Sequence, residues 1–180
     1  MIRSALRRRL VPLGLAFSLL GAPLGPALGS SMEVFDLAVM VERAERIFQG
    51  VVVAAEAADS GEGQIWTTYQ VRVIDALKGV PETRTLEVKQ IGGTVGGVTL
   101  RAVMVPHFRV GDEVLFFTRD YGMGWQSVVN GPQGSLVLAP AGAPISEPAR
   151  IASSFYPEAP TELAAFKALV QRLVAAGEPK

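Results

Sequence analysis

Three glycine-punctuated phrases in the middle of the chain dictate where its strands stop. They are Val73-Ile74-Asp75-Ala76-Leu77-Lys78-Gly79, Ile91-Gly92-Gly93-Thr94-Val95-Gly96-Gly97, and the run from Val105 through Gly111 to Phe117. Glycine takes positive φ without steric penalty, so each phrase reads as the end of one strand and the start of the next. A chain broken this often, between short apolar runs, is expected to fold as a small, closed, mostly antiparallel β domain.

The flanking patterns fill in the order of elements. Asp36 can cap a short helix, because Leu37, Met40, Val41, Ala44 and Ile47 or Phe48 recur at helical spacing and Glu42 stands four residues before Arg46. Gly50 is expected to end that helix, and Val51-Val52-Val53 to open a central strand apolar on both faces. Next, Ile65, Tyr69, Val71 and Val73 alternate with Thr68, Gln70 and Arg72, a half-buried strand that Lys78-Gly79 breaks. Leu86 and Val88 then face inward while Glu87 and Lys89 face out.

Val98, Leu100, Ala102 and Met104 predict another half-buried strand running to Pro106, and Val114 to Phe117 a buried one entered through the Val110-Gly111-Asp112 turn. Trp125 to Val129 and Leu136 to Leu138 read as a final pair of strands around Asn130-Gly131-Pro132. Residues 140–160 are rich in proline and alanine and read as an irregular connector. Thr161 then caps a C-terminal amphipathic helix over 161–177, with Leu163, Phe166, Leu169, Val170, Leu173 and Val174 on its apolar face.

Residues 1–29 have the three-part layout of a secretory signal: Arg3, Arg7, Arg8 and Arg9, an apolar run from Leu10 to Leu20, then small and proline-containing residues to Gly29. The run is too short to span a bilayer, which needs about 20 apolar residues. Arg7-Arg8-Arg9 also fits the twin-arginine form of such a signal. Cleavage there leaves residues 30–139 as the β domain and no stable membrane span. It also changes the charge: of 17 basic and 17 acidic residues, four bases and no acid lie in the signal, leaving 13 bases against 17 acids. A balance of −4 implies no basic face for nucleic acid. The chain has no cysteine, which excludes disulfides and thiolate metal sites and points to a bacterial periplasm or the exterior as its location.

Patterns that carry chemistry are sparse. Gly92, Gly93, Gly96 and Gly97 do not match G-x-G-x-x-G, and strand instead of helix follows, so dinucleotide binding is not expected; no G-K-[ST] follows either. The glycines read first as a tight crossing or bulge, and second as a contact loop with exposed backbone. His107 is the only histidine, lies between Pro106 and Phe108, and has no G-x-S-x-G serine to serve. One imidazole without thiolates makes no zinc site, and Ala58 to Gly63 lacks the ligands of a calcium loop, so no metal or cofactor is expected. Adjacent Asp112 and Glu113 point to opposite faces of an extended backbone and do not form a carboxylate pair. Trp125, in Tyr121-Gly122-Met123-Gly124-Trp125, is the aromatic expected to be exposed.

The run Ala44 to Val52, and Thr68-Tyr69-Gln70-Val71-Arg72-Val73 followed by Leu77-Lys78-Gly79, resemble the netrin-like domain of the tissue inhibitors of metalloproteinases. The resemblance covers residues 36–90 and implies an OB-type five-stranded antiparallel barrel with flanking helices. The glycine pairs and Pro106 to Glu113 are similar to a group of exported bacterial proteins. The inhibitors chelate the protease zinc through an N-terminal cysteine clamped by disulfides. This chain has no cysteine, so no residue inherits that role. The reading that follows is an exported, non-enzymatic module that binds a protein or another envelope component, with Gly92, Gly93, Gly96, Gly97, His107 and Trp125 as candidate contacts. An inhibitor or companion of a secreted protease, and a hydrolase using His107, are the alternatives.

Overall fold

The computed structural model describes residues 33–61, 63–81, 85–143 and 154–177. The expected signal over 1–29 and residues 144–153 of the connector over 140–160 lie outside these residues. The described elements, in order, are α1 (Leu37–Arg43), β1 (Arg46–Asp59), β2 (Ile65–Lys78), β3 (Thr85–Ile91), β4 (Gly93–Val95), β5 (Val98–Leu100), β6 (Glu113–Asp120), β7 (Gln126–Val128), a 3-10 turn (Gly131–Gly134), β8 (Ser135–Ala139) and α2 (Leu163–Gly177).

The protein is mainly β, built on one antiparallel sheet in the order β3-β2-β1-β6-β7, with β8 also on β6. β4 and β5 form a separate hairpin. The sheet is not closed into a barrel, because no backbone ladder joins β3 to β7. It does curl: Val88 of β3 and Val128 of β7, at opposite ends of the strand order, share one core with Phe48, Val52, Tyr69 and Phe116. A side chain bridges the gap, since the Ser127 hydroxyl donates to the Lys89 carbonyl at 2.7 Å.

The curl starts in β1, whose pairing with β2 is interrupted by three register shifts. Each shift is a local bend that raises the twist of a long strand. Gly50 sits at one of them: an added Cβ would lie 2.5 Å from Val71 Cγ1 and 2.9 Å from the Arg72 carbonyl oxygen. Gly50 therefore lies within β1 instead of ending a helix. The helix stops at Arg43, and Ile47 and Phe48 are strand residues facing opposite cores. Glu42 and Arg46 are accordingly not a helical pair. The continuously buried stretch of β1 is Ile47 to Gly50, while Val53 is exposed.

β1 and β6 separate two cores. Phe48, Val52, Val114 and Phe116 face the inside of the curl; Ile47, Leu115 and Phe117 face the helical layer of Met40, Val41, Leu163, Phe166 and Val170. The C-terminal helix thus buries its stripe on its own sheet. Lys167 ties it down further, pairing with Asp75 and donating to Gln49 at 2.9 Å. Gln49 in turn donates to Glu113.

β7 and β8 do not pair with each other, contrary to the sequence expectation. Both lie on the same edge of β6, β7 along Thr118–Asp120 and β8 along Glu113–Phe116. The 3-10 turn between them buries Gln133, whose amide holds the chain at Phe35. The Phe35 N–H donates to Gln133 Oε1 at 3.1 Å, and Gln133 Nε2 donates back to the Phe35 carbonyl. Tyr156 OH donates to the Gln133 carbonyl at 3.0 Å, and its own ionisation is pushed up by burial.

Candidate functional site

β5 ends at Leu100. The alternation from Val98 to Met104 predicted a strand to Pro106, but residues 101–112 form an irregular strap that bonds to the sheet's backbone only at its end, where Gly111 and Asp112 meet Val52 of β1. The strap reaches from the end of β3 to the turn before β8. At one side His107 rests on Gly92; at the other the Met104 carbonyl occupies the space that a Cβ on Gly131 would need, and Gly131 has φ +54. Between these points Phe108 enters the inner core, 5.2 Å from the Tyr69 ring and 5.1 Å from the Phe116 ring, edge-on to both. The strap thus covers the side of the curled sheet that no ladder closes.

Asp112 anchors its far end. The carboxylate accepts the Arg109 N–H at 2.7 Å and the Ala141 N–H at 2.8 Å, and the Asp112 carbonyl accepts the Val52 N–H at 2.9 Å. Gly111, with φ +99, makes the turn the sequence predicted. Asp112 is a buried acceptor of backbone amides, and Glu113 pairs separately with Gln49.

The four glycines divide into two pairs. Gly92 and Gly93 have φ of +109 and +140, and an added Cβ would meet the His107 ring at the first and Thr67 Oγ1 at the second. They permit close approach. Gly96 and Gly97 form the tip of the β4–β5 hairpin, where an added Cβ would meet nothing. Their role is the positive φ of the turn, +57 and +82.

His107 Nδ1 lies 3.2 Å from the Tyr69 hydroxyl, which also accepts the Phe108 N–H at 3.4 Å. Burial raises the Tyr69 phenol, so it faces Nδ1 as a neutral hydroxyl. Burial, and then the nearby Arg101, depress the His107 imidazole. The Ser60, Ser127 and Ser135 hydroxyls donate to carbonyls of Gln64, Lys89 and Gly131, so none is set beside the imidazole as a nucleophile. Among the described residues no group of three or more His, Asp or Glu side chains is placed to hold a metal ion. None of their helices is long and apolar enough to cross a membrane.

His107, Gly93, Thr94, Leu100, Arg101 and Val105 line a groove of about 400 Å³. The same hairpin and strap expose aliphatic side chains: Val98 is 66% exposed, Val103 81%, Met104 44% and Val110 55%. Met104 adopts φ +63, a left-handed conformation ordinarily left to glycine or asparagine. Sequence reasoning missed Arg101, Val103 and Met104 as site residues, because inside a predicted strand they read as ordinary alternation.

Trp125 belongs elsewhere. It is half-buried, not exposed, edge-on to Trp66 at 5.6 Å, with the Lys89 ammonium 4.2 Å from its ring centroid. The cluster lies over the gap between β3 and β7, where Ser127 meets Lys89. A larger groove of about 550 Å³, between the Phe35 to Ala38 segment and α2, contains none of the candidate contacts named from the sequence. No protein-family model matches the chain, and no curated protein is detectably similar to it.

Proposed function

We propose that this protein is an exported, non-enzymatic binding module whose ligand is a protein or another component of the cell envelope. Met104 carries the reading. A left-handed φ costs a residue with a side chain about 1–2 kcal/mol, and Met104 adopts it while standing 44% exposed beside the still more exposed Val103. Apolar side chains held out on a strained turn have their natural use in contact with something else. The sheet order, with both ends meeting in one core and bridged by Ser127 and Lys89, supports an OB-type, netrin-like scaffold beneath the strap.

Affinity capture from periplasmic and culture-medium fractions tests this, comparing wild type with Val103→Ser. Specific partners retained by wild type and lost by the variant are expected. Equal recovery by both, or no partner above a blank matrix, contradicts the proposal.

A further inference from the structure

We infer that the hairpin and strap receive an acidic, aliphatic segment of a partner protein, with a carboxylate engaging Arg101 in the groove. The inference rests on the binding-module reading and adds the chemistry of the partner. From Gly92 to Gly111 the chain carries Arg101, His107 and Arg109 and no carboxylate, although the chain beyond residue 29 has more acids than bases. Arg101 lines the groove and is exposed, and it makes no hydrogen bond or ion pair with a described residue. Its charge disfavours a second positive charge on His107. A guanidinium in that position is ready for a planar carboxylate, which it grips through paired N–H donors.

Leu100, Ala102 and Val105 line the groove with Arg101, and the exposed Val98, Val103 and Met104 lie within three residues of Arg101 along the chain, supplying apolar contact that charge alone would not, with Met104 an adaptable one. The combination selects a segment with Asp or Glu next to Leu, Ile or Val. An anionic membrane is the poorer fit. The exposed apolar residues here are aliphatic with no Trp or Phe among them, the cations are few, and the rest of the protein is acidic enough to be repelled.

A phage-displayed peptide library selected on the purified protein tests the inference, with Arg101→Glu and Arg101→Lys selected in parallel. Wild type and Arg101→Lys are expected to enrich acidic, aliphatic peptides. Arg101→Glu is expected to bind those peptides about tenfold more weakly and to shift enrichment toward Lys and Arg. Vesicles containing phosphatidylglycerol serve as the second probe, with no retention expected. Overturning results are peptides without carboxylate enrichment, the same peptides from Arg101→Glu, no enrichment at all, or retention on vesicles alone. If a captured partner survives Arg101→Glu but is lost with Val103→Ser, the binding-module reading stands and this inference falls. Exposure of Arg101 leaves the fold intact in either variant, which matched urea midpoints verify.

Discussion

The imidazole of His107 rests where a side chain on residue 92 would have to stand: a Cβ added to Gly92 would lie 2.7 Å from its Cε1 and 2.8 Å from its Nε2. One glycine therefore decides how closely the strap seats against the end of β3. Gly92→Ala is expected to cost about 1–3 kcal/mol through its φ and the displaced ring, and to speed hydrogen exchange at the Phe108 amide. Gly96→Ala meets nothing in space, so it should show only the conformational cost of about 1–2 kcal/mol, with Phe108 exchange unchanged. Urea unfolding and exchange read by NMR separate the two.

Phe108 links the strap to the inner core. Phe108→Ala removes a buried ring touching Tyr69 and Phe116, and a loss of about 3–5 kcal/mol is expected from equilibrium unfolding. A loss below about 1 kcal/mol would mean that the strap does not complete the core.

Burial of His107 makes stability depend on pH. The folded His107 holds its proton less readily than the unfolded chain does, for reasons of burial and then of Arg101. Between the two imidazole values the unfolded state binds the extra proton. Stability is therefore greatest above about pH 6.5, the ordinary imidazole value, and declines as pH falls below it until the depressed folded value is passed. His107→Gln should remove that decline from urea midpoints measured across the range. Tyr69→Phe strips the partner from the Phe108 N–H and is expected to cost about 1–3 kcal/mol at neutral pH.

Gln133 is fully buried, and its amide meets Phe35 at both backbone groups and Asn130 at 2.7 Å. Gln133→Leu keeps much of the volume and leaves those groups unpaired, so a loss of about 1–3 kcal/mol is expected. Exchange at the Phe35 amide should accelerate more than exchange in β6.

Which features were legible in the sequence follows from how far apart the determining residues lie. β2 and β3 follow the alternation of Tyr69, Val71, Leu86 and Val88, because a strand with one buried face writes its own period. The start of β1 was misread because Ala44, Ile47 and Phe48 satisfy helical spacing as well as a strand buried on both faces. Strap residues Ala102 and Met104 extend the alternation of β5 yet have no partner strand, and a period of two carries no information about pairing. The glycines were visible as sites of freedom or close approach, but what approaches Gly92 is fifteen residues away at His107. The left-handed Met104, on which the function reading turns, leaves no trace in a sequence of apolar residues.

Met104→Gly tests that reading most directly, because it relieves the left-handed backbone while deleting the exposed side chain. Urea unfolding and partner capture are measured on the same preparation. Unchanged or increased stability, together with loss of the partner retained by wild type, is the predicted result. Reduced stability with undiminished capture would contradict it, and would make the strap a structural closure of the sheet instead of a binding surface.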